Sequence, residues 1–395
     1  MSYKKNDGEW ITTQYDPNNG NTIDVSVNNG DKVQWKGINN VFYYYDESSD
    51  VESDGYFTST HTVDVEGNIM SLLYGDNFSD KRSLEGREGA FAGLFSYDDN
   101  LQIISAENLV LPATTLASSC YVSMFNGCTS LTTAPELPAT TLANNCYQYM
   151  FYGCTSLTTA PELPATTLAN NCYDSMFYDC TSLTTAPDLP ATTLADYCYA
   201  NMFYGCSSLT TPPELPATTL AEGCYNSMFQ GCTSLTTAPE LPATTLANYC
   251  YRYMFSGCTS LTTALELHAT TLAQECCVSM FAGCTSLTTA PGLPATTLVR
   301  YCYSNMFEGC TSLVTAPELP ATTLANNCYQ YMFYNCTSLN YIKAMFTTTP
   351  STSYTAYWVS GVASTGTFVK NSAAAWNVTG VNGIPSGWTV QTASA

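Results

Sequence analysis

The sequence predicts an α/β repeat solenoid with one short helix and one short strand per unit, a small β-rich segment before it and a cap after it. Three observations carry that prediction. Residues 111–344 are nine tandem copies of a 26-residue unit close to LPATTLAxxCYxxMFxGCTSLTTAPE. The copies begin at Leu111, Leu137, Leu163, Leu189, Leu215, Leu241, Leu267, Leu293 and Leu319, with no insertion or deletion between them. Within each copy the same positions are apolar. A unit this small cannot bury its apolar face alone, so its stability must come from the units on either side.

The helix is predicted from spacing. Positions 6, 10 and 14 (Leu142, Cys146 and Met150 in the second unit) and positions 7, 11 and 15 (Ala143, Tyr147 and Phe151) recur at i, i+4 and i+8, which reads as one apolar helix face. Gly153 then supplies a C-terminal stop. The run Leu157 to Ala160 is β-prone and closed by Pro161, so it is assigned as the strand. Stacked in parallel at about 4.8 Å per unit, nine such strands would span on the order of 45 Å.

These residues carry a resemblance. The order Cys-x-x-Leu, a Leu-Pro step and an apolar segment ending Met-Phe-x-Gly-Cys resembles the BspA-like class of leucine-rich repeats, whose unit has CxxL, an Ile-Pro step and an AFxxC helix end. The resemblance covers the array and implies a leucine-rich-repeat solenoid. It also implies a binding role, since family members are bacterial surface proteins and adhesins and similar arrays occur in proteins of gut bacteria and their phages.

The flanks break the period. Residues 1–85 read as a β-rich, sandwich-like domain: Thr22 to Val27 alternates, Asn28 to Asp31 is a turn signal, and Val33 to Lys36 alternates again. Residues 86–110 read as a degenerate capping repeat, with Phe95 and Leu101 at unit positions and Asp98 where a cysteine belongs. Residues 345–395, with Trp358, Trp376 and Trp388, read as the C-terminal cap, since tryptophan suits covering an exposed end, with a docking tail at Gly383 to Val390 as the alternative.

The net charge of −21, from 32 acidic and 11 basic residues, argues against nucleic acid and anionic membrane surfaces as partners. No run approaches the roughly 20 apolar residues of a membrane helix, and the start MSYKKNDGEW lacks the apolar core of a secretory signal. All 19 cysteines lie in the array, at positions 10 and 18 plus Cys277. Nine per ladder cannot pair completely, so buried reduced thiols and a reducing cytoplasm during folding are expected. Without a CxxC pair, and with only His61 and His268 as imidazoles, no zinc site or other cofactor is expected. A repeat sets the same residue in the same place nine times, which does not converge unlike groups into an active site, so no catalytic residue is assigned. The acidic row at position 26 (Glu136, Glu162, Asp188, Glu214, Glu240, Glu266 and Glu318) admits two readings, calcium bridging or solvated side chains that splay apart.

Positions 8, 9, 12, 13 and 16 alone vary freely, and 31 of those 45 residues are Asn, Tyr, Asp or Ser rather than the Lys and Glu that usually fill a helix surface. That palette resembles a paratope: tyrosine gives large contact area with few rotors, and Ser and Asn give adaptable hydrogen bonds. The candidate ligand-binding residues are Tyr149, Tyr152, Tyr178, Tyr197, Tyr204, Tyr249, Tyr253, Tyr301, Tyr331, Tyr334, Asn145, Asn171, Asn201 and Asn305. The expected function is non-enzymatic recognition of a cell-surface protein or glycan by a phage tail or head fibre. The alternatives are a bacterial surface adhesin, or an assembly protein in which the solenoid is a rigid spacer and the termini make homo-oligomer or virion contacts.

Overall fold

A computed structural model describes residues 1–13, 23–38, 44–46, 51–53, 57, 59–96 and 102–393. The array is a single continuous solenoid, as expected, but its expected helix is not α-helical. Positions 7 to 18 form a ribbon of consecutive turns in every unit. In the second unit the amide N–H groups of Cys146, Gln148, Met150, Tyr152 and Cys154 donate to the carbonyls three residues back, at 3.1–3.3 Å. The intervening N–H groups of Asn145, Tyr147, Tyr149, Phe151 and Gly153 donate to the third unit, onto Asn170, Cys172, Asp174, Met176 and Tyr178, at 2.7–3.0 Å. Even-numbered donors therefore close turns and odd-numbered donors join units, so the backbone groups of the ribbon are spent without a helix.

The physical reason lies in the stacking distance. Helices pack 8–10 Å apart, whereas parallel strands are about 4.8 Å apart. A straight stack cannot hold both, and the ribbon keeps the two sides of the unit close in pitch. Phenylalanine rings of neighbouring units lie 5.5–5.8 Å apart along the array. The ribbon needs positive φ at every fourth residue. Position 17 meets this with glycine in seven units and with Asp179 (φ 54°) and Asn335 (φ 58°) in the others, the two non-glycine residue types that tolerate the left-handed region best.

The expected strand is shorter than predicted. It contracts to single parallel bridges at position 23, such as Thr159 with Thr185, and a second ladder runs through position 5, such as Thr115 with Thr141. Prolines at positions 25 and 2 remove donors from the stretch between the two ladders, which keeps them from joining into one longer strand.

The core is a set of ladders. Phenylalanine at position 15 stacks without a break from Phe95 to Phe333. Tyrosine at position 11 stacks from Tyr121 to Tyr251, is interrupted by Cys277, and resumes at Tyr303 and Tyr329. All 19 cysteines are buried free thiols. At position 18 the thiol donates to the phenylalanine carbonyl of the preceding unit, as Cys154 does to Phe125 at 3.1 Å, which gives a second role to a residue that packs as a small hydrophobe.

Both ends are covered. At the start, β1 (Ser2–Lys5) lies between β2 (Ile11–Thr12) and β3 (Val33–Lys36) in an antiparallel sheet, and β4 (Tyr44–Asp46) pairs with β5 (Val51–Ser53). The antiparallel sheet lies within residues 1–85, the span expected to be β-rich. It packs through Trp35 on Phe57, which stacks on Phe95 at 5.9 Å. The turn at Asn28 to Asp31 forms as predicted, closed at 3.0 Å. The alternating run before it forms no strand over residues 23–27, although Ile23 and Val25 are half-buried. Thr22, Asp98 and Leu101 lie outside the described residues. The strand β6 (Thr62–Asp64) pairs in parallel with β8 (Gln102–Ser105), and β7 (Gly67–Asn68) with β9 (Leu109–Val110). Ser105 bridges Thr133, so this pairing leads into the position-23 ladder.

At the other end β10 (Tyr341–Ala344), β11 (Thr367–Lys370) and β12 (Thr389–Thr392) continue the parallel ladder from Thr315. The three tryptophans close it. Trp358 sits 6.2 Å from Tyr329 and 6.1 Å from Phe333, at the end of both aromatic ladders. Each indole N–H donates to a carbonyl: Trp358 to Gly383, Trp376 to Phe346 and Trp388 to Ala363. We expect Trp358→Ala to cost about 3–5 kcal/mol. Chemical denaturation should then show the last two units unfolding ahead of the rest.

Candidate recognition face

The turn ribbon sets the variable positions on one side of the solenoid. All fourteen candidate tyrosines and asparagines are partly exposed. Their spacing follows the units, so residues at one position line up from unit to unit. Positions 9 and 13 adopt positive φ in every unit, as at Asn145 (57°), Tyr149 (57°), Asn201 (52°) and Tyr253 (55°). Backbone conformation therefore explains part of the palette, because asparagine is favoured there. It does not explain tyrosine, which has no such preference.

The tyrosines are ordered against one another. Tyr152, Tyr178 and Tyr204, at position 16 of three successive units, stack with ring centroids 4.6 and 4.3 Å apart. Tyr149 meets Tyr152 edge-on at 6.0 Å, and Tyr331 meets Tyr334 edge-on at 5.5 Å. Partial burial, followed by the hydrogen bond to Tyr204, raises the Tyr178 phenol above its ordinary range. Tyr197 donates to Glu222 at 3.1 Å and is raised too, first by burial and then by that bond. Farther along, Arg252 lies over Tyr249 and Tyr253, and Arg300 over Tyr301. The tyrosines thus fall into three groups: a stacked row in units two to four, arginine-braced rings in units six and eight, and an edge-on pair in unit nine.

Several residues of the face were not singled out from sequence. Asp174, 9% exposed, accepts from Gln148 at 2.8 Å, Ser175 at 2.9 Å and Asn201 at 3.1 Å, and it ties three units together under the tyrosine row. Arg252 pairs with Glu275 at 3.7 Å, and Glu308 accepts from the candidate Asn305 at 2.6 Å. Each stands at a variable position, and its charge against a mostly neutral palette was the available signal.

His61 and His268 are exposed. Among the described residues no group of three or more His, Cys, Asp or Glu is placed to hold a metal ion, and the position-26 carboxylates are exposed. Burial pushes the Cys146 thiol up to about 12, and Cys336 likewise. No described helix is long and apolar enough to cross a membrane.

The family model for the BspA type leucine rich repeat region, which describes six repeat copies, matches over residues 101–236, 192–294 and 251–357. No curated protein sequence matches the chain. Similar solved structures include a leucine-rich repeat protein from Bacteroides ovatus, at 16% identity and TM-score 0.31, covering 85% of this chain and 94% of that one. Another is a leucine rich cell surface protein from Faecalibacterium prausnitzii, at 16% identity and TM-score 0.33, covering 76% of this chain and 92% of that one. The assignment rests on the family model, whose matches run through the array and both of its edges: the chain belongs to the BspA-type leucine-rich repeat family.

Proposed function

We propose that the protein is a recognition protein whose variable face binds a protein or glycan on a cell surface, without chemistry of its own. Membership of the BspA-type family supports an interaction or adhesion role. The observation that carries the reading is the row Tyr152, Tyr178 and Tyr204. Three large amphipathic side chains stack on one another at 4.3–4.6 Å on a partly exposed face, where other units carry Asn, Gln, Ser, Ala or Glu instead. Pre-ordered aromatics lose little entropy on binding and are the usual anchors of an interface. Saturable binding of the labelled full-length chain to intact gut-bacterial cells is the expected result, and its absence from every strain tested would remove the reading.

The finer proposal is that the chain is a host-binding part of a phage virion, such as a tail or head fibre. Nineteen buried free thiols support assembly in a reducing compartment. A bacterial surface adhesin is the competing owner, and homo-oligomer or virion contacts through the termini belong to the virion reading. Mass spectrometry of purified phage particles beside bacterial surface fractions decides between them, since the peptide should appear in the particles.

A further inference from the structure

Unit seven interrupts the variable face. Its positions 12, 13 and 16 carry Val278, Ser279 and Ala282, where unit six has Arg252, Tyr253 and Ser256 and unit eight has Ser304, Asn305 and Glu308. The missing side-chain volume leaves an open trough of about 590 Å³, reaching from Gln230 in unit five to Glu308 in unit eight. That volume lies within the range of small-ligand sites, about 300–1,000 Å³. At about 4.8 Å per unit the trough is roughly 14 Å long.

Its surfaces are of three kinds. The floor is bare backbone at Gly257, Gly283 and Gly309, where a Cβ on each would lie 3.7–3.8 Å from the glycine of the preceding unit. One wall is the Tyr253 ring, braced by the Arg252 guanidinium 5.0 Å from its centroid. The facing wall is the Asn305–Glu308 pair, fixed at 2.6 Å, with Asn305 also accepting from Ser304 at 2.8 Å. Gln230 and Ser279 add an amide and a hydroxyl.

We infer that this trough binds a neutral oligosaccharide, a proposal that rests on the recognition reading and names its ligand class. A flat aromatic wall suits the C–H face of a pyranose ring. An amide and a carboxylate held in fixed orientation suit adjacent hydroxyls, which both donate and accept. A backbone floor allows close approach. Arg252 is already paired with Glu275 at 3.7 Å, so the rim offers no uncompensated positive charge to an anion. A protein partner would instead be expected on the projecting tyrosine row, because aromatic anchors and not a shallow polar trough carry protein interfaces.

The test fills the trough with side chains the array already uses. Tyrosine stands at position 13 in Tyr149 and Tyr331 and at position 16 in Tyr152 and Tyr334, so the double variant Ser279→Tyr/Ala282→Tyr is compatible with the fold. The probe is an immobilised panel of neutral hexose and N-acetylhexosamine oligosaccharides. The full chain should bind at least one member, the filled variant should bind it at least tenfold more weakly, and Glu136→Gln, an exposed position-26 residue off the variable face, should bind as the parent does. No binding to any member, or unchanged binding by the filled variant, overturns the proposal. Cell binding keeps the two readings apart. If the filled variant still binds cells like the parent while the panel is silent, the trough proposal fails and the recognition reading stands. If it loses cell binding while the panel is silent, the trough's ligand is a protein and the glycan assignment fails.

Discussion

Phe203→Ala is expected to lower the unfolding free energy by about 3–5 kcal/mol, the range for emptying a buried phenylalanine site. Phe203 is fully buried and stacks on Phe177 and Phe229 at 5.7 Å on each side. The neighbours cannot collapse into the space, because their backbones are pinned unit to unit by hydrogen bonds such as Phe203 N–H to Met228 at 2.9 Å. In a stack stabilised by nearest-neighbour interfaces, one weakened interface lowers the cooperativity of the whole array. Hydrogen exchange should therefore show lost protection at the amides of Phe177 and Phe203 first, and a denaturant curve should broaden or split. A change under 1 kcal/mol would mean that the aromatic ladder is not what holds the units together.

Alkaline unfolding is the second large effect. Burial pushes six thiols, Cys128, Cys146, Cys198, Cys284, Cys328 and Cys336, up to about 12 from an ordinary value of 9. The folded pKa exceeds the unfolded one, so the folded state holds protons that the unfolded chain releases. The stabilisation is complete below pH 9 and is lost as pH rises toward 12. Each thiol contributes about 1.4 kcal/mol per pH unit across that window. Six together exceed a typical total stability of about 5–15 kcal/mol within two units. Circular dichroism should report cooperative unfolding near pH 10–11, with thiol reagents inert toward the folded chain at pH 8. Rapid labelling at pH 8 without unfolding would contradict the buried thiol ladders.

How far the sequence could be read follows from one spacing. The recurrence of apolar residues at positions 6, 10, 14 and 18 has a period of four, not 3.6, and that small excess marks turns repeated every four residues rather than a helix. Left-handed φ at positions 9, 13 and 17 is the structural source of the period. The glycine at position 17 was visible as a stop but belongs to the same series. Solenoid, unit boundaries and buried cysteines were legible, because they depend only on strict repetition. The shortening of the strand was legible in principle from Pro161 and the prolines at position 2, which interrupt the chain between the two bridges. The variable face was legible as a set of positions, since turns and helix share the i+4 spacing and so present the same residues. Its relief was not: the stacking of Tyr152 on Tyr178, the Asp174 network and the trough at unit seven depend on which residue each neighbouring unit carries.

The recognition reading places binding on the tyrosines of the variable face and not on the flanks. Its most direct test compares the full-length chain with a variant carrying Tyr149, Tyr152, Tyr178, Tyr204, Tyr253 and Tyr331 changed to serine, in binding to intact gut-bacterial cells. Serine already stands at position 13 in Ser123, Ser175, Ser227 and Ser279 and at position 16 in Ser256, so the variant should fold with the parent's circular dichroism. Loss of cell binding by the folded variant is the predicted result; equal binding by both chains would place recognition in residues 1–85 or 345–395 and reduce the solenoid to a spacer.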